Sequence, residues 1–252
     1  MPWHQWTDRF YWRVQPWLVP GLRNSQHDYG DELKRLLPGV RRWLDLGCGH
    51  DFLPPWMPGE ERSLDLGHCE VVGIDADSDA LRRHRGLNHR LRGNIESLPF
   101  RDATFDLVTA NMVVEHVEHP EALFREVSRV LAAGARFLVH TPNERGYTTA
   151  LTRLIPEGAR PALAGLLLGR DERDVYPTFY RANSASMLES LAGAAHLEVV
   201  EVRHVESSAQ LIAVPPLLLG ELALLRLLRR ERWSTGRPCL LATFQKHCRG
   251  RS

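Results

Sequence analysis

The sequence predicts an α/β fold: a doubly wound, mostly parallel sheet of seven strands carrying helical insertions. Three observations support this. From Val40 onward, short apolar runs alternate with stretches of helical periodicity, the pattern of βαβ units. The first run, Trp43-Leu44-Asp45-Leu46, gives way to Gly47-Cys48-Gly49, where the backbone can turn sharply and leave peptide groups bare. The second run, Val71-Val72-Gly73-Ile74, ends on Asp75. A glycine loop after one strand and an acid at the tip of the next form a nucleoside-binding pattern. The loop passes under the ligand and the carboxylate takes the two ribose hydroxyls.

The elements follow in chain order. Residues 1–39 are expected to form an N-terminal helical extension, with a helix from Asp28 to Leu37 stopped by Pro38-Gly39. Its aromatic start holds Trp3, Trp6, Trp12 and Trp17 among charged and polar residues, which a secretory apolar segment would not tolerate. A helix packed on the domain is the expected form, and capping of the substrate pocket by some of the rings is the sharper alternative. The domain proper is expected over 40–252. Its strands are placed at 41–46, 70–75, 89–93, 105–110, 135–141, 197–204 and 238–246, and its helices near 78–86, 119–132 and 185–195. Ser78, and either Asn183 or Ser184, are the expected N-caps. Pro54, Pro55 and Pro58 prevent a long regular helix after the glycine loop. Gly47 and Asp75 are 28 positions apart, against roughly 20 in the usual crossover, so the first helix is short or displaced. Leu64–Gly67 repeats the letters of 44–47 but lies too close to Asp75 for a second crossover. Insertions at 143–183 and 206–236 are long enough to be lids or to carry helices of their own.

Composition narrows the ligand and the setting. A hydrophobic content of 43% and a charged content of 25% are ordinary for a globular chain, and a net charge of +1 gives no reason to expect a nucleic acid partner. Cys48, Cys69, Cys239 and Cys248 lack metal-ligand spacing, so no metal and a reduced, cytoplasmic setting are expected. The loop is not a dinucleotide fingerprint, because Phe52 stands where a third glycine is needed. No phosphate-binding lysine follows it, which excludes a P-loop. A nucleoside without phosphates fits better.

With these residues in place, the sequence resembles the class I S-adenosyl-L-methionine (SAM) dependent methyltransferases of the quinone-biosynthesis-like, type 11 subgroup. Asp45, Gly47 and Gly49 match the family's first motif, with Asp51 at the usual third glycine. Gly93–Phe100 is similar to the family's Gly-Asp-x-x-x-Leu-Pro-Phe segment, with Asn94 in place of the acid. Phe105-Asp106, Glu115-His116 and Thr141-Pro142-Asn143 continue the resemblance, which covers about 40–205. Ala132–Ala135 departs from the family's Lys-Pro-Gly-Gly turn. The resemblance implies a Rossmann-like methyltransferase fold with SAM as cofactor. It also implies cofactor binding by Asp45, Gly47, Cys48, Gly49, Asp75, Ala76, Asn94, Ile95 and Asn111. Asn94 would accept from the adenine amino group through its amide oxygen.

Methyl transfer from a sulfonium is an in-line displacement on an activated carbon, so holding donor and acceptor in line is the main task. A hydroxyl acceptor also needs a base. His116, just past the fourth strand, and His140, at the end of the fifth, are the catalytic candidates, since histidine titrates near neutrality. Either could instead be a hydrogen-bonded structural histidine. A small-molecule, lipid-linked or glycan acceptor methylated on oxygen is expected. A non-catalytic SAM-binding protein and a nucleic-acid methyltransferase are the alternatives. Tyr176, Tyr180 and Arg181 could line the acceptor site or anchor the insertion. In Leu211–Leu228, Pro215, Pro216, Glu221 and Arg226 argue against a membrane span. The stretch 211–233 either packs as a cover or makes a peripheral contact with an anionic membrane surface.

Overall fold

The structure, a computed structural model, describes residues 3–154 and 177–248. Its seven strands are β1 (Arg42–Leu46), β2 (Glu70–Asp75), β3 (His89–Arg92), β4 (Phe105–Asn111), β5 (Leu131–Pro142), β6 (Leu197–Val205) and β7 (Cys239–Lys246). They form one sheet in the order β3-β2-β1-β4-β5-β7-β6. β1 pairs in parallel with both β2 and β4, and the β2–β3 and β4–β5 pairs are parallel as well. This is the doubly wound arrangement expected from the alternating pattern.

Among the described residues the helices are α1 (Trp3–Leu18), α2 (Ser25–Leu36), α3 (Pro58–Arg62), α4 (Ser78–Arg83), α5 (Pro120–Val130), α6 (Tyr147–Leu154), α7 (Ala185–Ala194) and α8 (Pro215–Leu228). The prolines at 54–58 have the expected result: α3 is five residues long and starts on Pro58. Ser184 caps α7 by accepting from Met187 N, as anticipated. At α4 the cap is Asp77 rather than Ser78, its carboxylate taking the N–H groups of Asp79 and Ala80. A carboxylate there also meets the positive end of the helix, which a serine hydroxyl cannot match. Leu64–Gly67 forms no strand.

The chain divides into two compact units. One holds Gln26–Thr141, Thr178–Arg203 and Leu240–Ser252, and therefore the sheet. Its core joins Leu44, Leu46, Val108 and Phe137 to the apolar faces of α5 and α7, through Phe124, Val127 and Leu188. α2 lies in this unit, and not with α1 as a boundary at residue 39 would have it. The reason is its apolar face: Tyr29, Leu33 and Leu37 recur at helical spacing and are all buried.

The other unit comprises Met1–Ser25, Pro142–Pro177 and His204–Cys239. In it α1 and the residue that follows it pack on α8, through Tyr11 and Val19 against Leu218, Leu222 and Leu225. Trp6, Trp12 and Trp17 of α1 do not make this contact, since all three are exposed. Glu221 can be buried in this leucine-rich helix because three donors satisfy it, the Tyr147 hydroxyl and the N–H groups of Gln210 and Leu211, each at 2.8 Å. Among the described residues, no helix is long and apolar enough to cross a membrane.

Candidate cofactor and active site

The strand order reverses at β1, whose neighbours β2 and β4 are reached by crossovers in opposite directions. In an open α/β sheet, the crevice beyond the carboxyl ends of such a pair is where ligands bind. A cavity of about 210 Å³ lies there, lined by His50, Asp51, Leu53, Pro54, Pro55 and Asn111. A larger hollow opens at the opposite end of β4, but its Arg129 is already committed to Glu126, Asp102 and the carbonyls of Leu98 and Phe100.

The loop after β1 is shaped by two glycines in the left-handed region. Gly47 has φ +58°, and a Cβ there would fall 2.5 Å from Val113 Cγ2. Gly49 has φ +54°, and a Cβ there would meet nothing within 4 Å, so no side chain stands over the loop at this point. Gly47 N donates to Ile74 O (2.8 Å) and Gly49 N to Asp75 Oδ2 (2.9 Å), which ties the loop to the end of β2. Asp75 Oδ1 accepts from Asp77 N (2.8 Å). A carboxylate has about four lone-pair positions, so two remain for a ligand diol. Cys48 contributes backbone alone: its side chain is buried against Gly73. Ala76 is exposed just past Asp75.

Asp45 lies beneath the loop, 5% exposed. Thr109 Oγ1 donates to its Oδ1 (2.5 Å) and accepts from Trp43 Nε1 (2.8 Å). Burial pushes the Asp45 carboxyl up to about 7; the Thr109 hydroxyl opposes this and the nearby Asp75 carboxylate adds to it. Tyr29 from α2 is buried beside the same pair, and burial followed by the Asp45 charge holds its phenol well above the usual range.

Asn111, at the end of β4, has both ends of its amide engaged. Nδ2 donates to Gln26 Oε1 (2.9 Å), and Oδ1 accepts from His140 Nδ1 (2.8 Å). That second bond makes Nδ1 the protonated nitrogen of His140. The His140 ring is fully buried and stacks on Tyr29, with centroids 5.7 Å apart. Burial pushes its pKa down to about 3, so it stays neutral. Its place is behind Asn111, which it orients. The next residue, Met112, has φ +56°, a strained conformation for a non-glycine residue of the kind found at functional sites.

Gly93 N donates to Asp75 O (3.1 Å), which brings the turn after β3 beside the carboxylate. In that turn Asn94 Oδ1 accepts from Glu96 N (2.9 Å), leaving one lone pair for another donor. Ile95 is half-buried against the core. His116 stands on a short 3₁₀ turn, Val114–His116, after β4. Its side chain is 32% exposed, and Nε2 lies 4.0 Å from Glu115 Oε1. Glu115 is buried and accepts from Thr141 Oγ1 (3.0 Å), which in turn accepts from Asn183 Nδ2 (2.7 Å). Phe179 N donates to Glu115 O (2.7 Å) and Arg181 Nη1 to Glu118 O (2.7 Å), so 179–181 is pinned beside the turn that carries His116. Tyr176 lies outside the described residues.

The Gly47–Gly49 loop, Asp75 and Asn111 therefore stand at the carboxyl ends of the neighbouring strands β1, β2 and β4, with Asp45 buried beneath the loop and the Asn94 turn tied to β2; of these residues Asn111 lines the cavity, and Ile95 packs on the core instead. Gln26, Tyr29 and Thr109 belong to the same site and are absent from the sequence-derived set. The available signal for the first two was the apolar face of α2, which required that helix to pack somewhere.

Comparison with known proteins agrees with this geometry. Residues 44–139 match the methyltransferase domain family Methyltransf_11. A "Probable S-adenosylmethionine-dependent methyltransferase" of Mycolicibacterium smegmatis is 33% identical over 103 residues, 40% of this chain and 37% of that protein. A malonyl-[acyl-carrier protein] O-methyltransferase of Enterobacter lignolyticus is 32% identical over 114 residues, 43% of each chain. These matches span about two fifths of the relatives' length. The crystal structure of a SAM-dependent methyltransferase from Mesorhizobium loti has the same fold, with TM-score 0.53 and 18% identity over 88% of this chain and 98% of that one. The chain therefore has the fold of the class I SAM-dependent methyltransferases, and its residues 44–139 match the type 11 methyltransferase domain.

The donor set fits SAM. A carboxylate with two free positions is available for the ribose diol. The left-handed glycines keep side chains off the loop so that a ligand can approach its backbone, and a buried carboxyl lies under the loop where the methionine ammonium would neutralise it. An ammonium seated there would make cofactor binding pH-dependent. With its pKa raised to about 7, Asp45 holds a proton in the folded chain that the unfolded chain has already released, so stability falls as pH rises from about 4 toward 7. An ammonium nearby favours the ionised form, so binding displaces that proton. SAM affinity is therefore expected to rise as pH increases from about 6 to 8, with proton release visible by calorimetry in buffers of different ionisation enthalpy. Asp45→Asn should flatten the profile. A wild-type profile already flat over that range would rule out this role for Asp45.

Proposed function

We propose that the chain transfers the methyl group of SAM to an oxygen of a small-molecule, lipid-linked or glycan acceptor, with His116 as general base. The observation that carries the base assignment is the half-exposed His116 on the turn after β4, with Glu115 4.0 Å away to stabilise the imidazolium. SAM, when bound, supplies a methyl carbon already activated for displacement. The chain's own contribution is positional. Asp75 and the Gly47–Gly49 loop hold the nucleoside and methionine ends, and Asn111, locked by Gln26 and His140, forms a fixed wall of the crevice. Residues 179–181 border the acceptor side, where Arg181 and Tyr180 select among acceptors. The relatives named as O-methyltransferases support oxygen as the acceptor atom.

The test is tritiated SAM incubated with the protein and a cell extract separated into lipid, small-molecule and polymer pools. Label is expected in the lipid or small-molecule pool or in glycan. His116→Ala should lower kcat by about 100–10,000-fold with SAM affinity unchanged. An unchanged kcat removes the base. Label confined to nuclease-sensitive polymer would replace the acceptor class. SAM binding without transfer to any pool would favour a sensor over an enzyme.

A further inference from the structure

We propose that α8, the 3₁₀ turn Glu231–Gly236 and the end of α1 form a docking surface for an anionic lipid bilayer. The inference is independent of the acceptor and of the base.

α8 divides into two faces. Leu218, Leu222, Leu225 and Leu228 are buried in its own unit. The outward face is also apolar: Leu217, 52% exposed, Gly220 and Leu227 reach solvent, while Leu224 is half-buried against the unit's core. Leu219 and Ala223 widen this stripe. A surface helix normally turns polar residues outward, so a leucine stripe facing solvent marks an interaction surface.

What flanks the stripe selects the occupant. Arg226 Nη1 reaches Leu18 O (3.5 Å) and Arg229 Nη1 reaches Pro20 O (2.5 Å), joining the end of α1 to the end of α8. This brings the exposed Trp17 to the same end as Arg226 and Leu227. The chain continues into exposed Arg230, Arg232 and Trp233, with the Arg232 guanidinium 5.5 Å from the Trp233 ring centroid. Glu231 is paired with Arg237 at 3.7 Å. Leucines that can enter the acyl boundary, tryptophans that favour the headgroup level and arginines that attract anionic lipid are the three parts of an interfacial anchor. A second copy of the chain fits less well, because two-fold pairing of this face would set like-charged arginines together.

The test is sedimentation of the full chain with phosphatidylcholine vesicles, with and without phosphatidylglycerol, at low and high salt. Binding is expected to the phosphatidylglycerol vesicles and to weaken with salt. Arg230→Gln and Arg232→Gln should each weaken it about five-fold. Leu217→Glu with Leu227→Glu should weaken it by at least about 100-fold. Both leucines are exposed, so the fold should survive, and unchanged SAM binding by calorimetry verifies this. The proposal is overturned if the wild type stays in the supernatant, or if phosphatidylcholine alone binds equally well. It is also overturned if the double leucine variant alters oligomeric state on a sizing column while vesicle binding persists.

Discussion

Asp75→Ala is expected to weaken SAM binding by at least about 100-fold in calorimetry, the largest loss of any single side chain in the crevice. Two charge-assisted hydrogen bonds to the ribose diol disappear, each contributing about 1.5–3 kcal/mol. The loss is deepened by a second role. Asp75 also accepts from Gly49 N (2.9 Å) and Asp77 N (2.8 Å), so truncation frees the glycine loop from the tip of β2. Asp75→Asn separates the roles: one acceptor oxygen survives, and an intermediate loss of about 10-fold is expected. Binding by the alanine variant within a few-fold of wild type would mean that the ligand lies elsewhere.

Gly47→Ala is expected to cost about 2–5 kcal/mol of folding stability in denaturant titration. Left-handed backbone in a non-glycine residue accounts for about 1–2 kcal/mol. Overpacking contributes a further ~1–3 kcal/mol, since the new methyl would lie 2.5 Å from Val113 Cγ2, part of the core. Gly49→Ala provides the contrast: its φ is nearly the same, but open space surrounds the position, so only the backbone part should appear. Adding Val113→Ala to Gly47→Ala should recover part of the steric cost, visible as a coupling of about 1 kcal/mol or more. Equal stability of the two glycine variants would contradict the close approach of Val113.

Both predictions concern residues that could be read in the sequence, because their signal is local. A glycine pair after an apolar run and an acid after the next one specify a turn and a carboxylate with no knowledge of what surrounds them. The strand positions were legible for the same reason: apolar runs of strand length are short-range patterns. The cap of α4 was read one residue late because Asp77 and Ser78 are adjacent and both can cap. The roles of the two histidines were not legible, since a histidine at the end of a strand looks the same whether it is exposed or buried. The fold separates them, setting His116 half-exposed beside Glu115 and His140 fully buried behind Asn111.

By itself the sequence determined the class of fold, the SAM-type loop and the acid at the tip of β2. The tertiary structure alone decided that α2 belongs with the sheet, where Gln26 fixes Asn111 and Tyr29 lies against Thr109 and His140. It also decided that Asp45 is buried deeply enough to hold a proton near neutrality, and that α8 turns one leucine face inward and another out to solvent. The physical reason is range. Turn geometry and periodicity are set by residues a few positions apart. Burial, desolvation and the pairing of Gln26 with Asn111 depend on segments far apart in the chain, which only the folded sheet brings together.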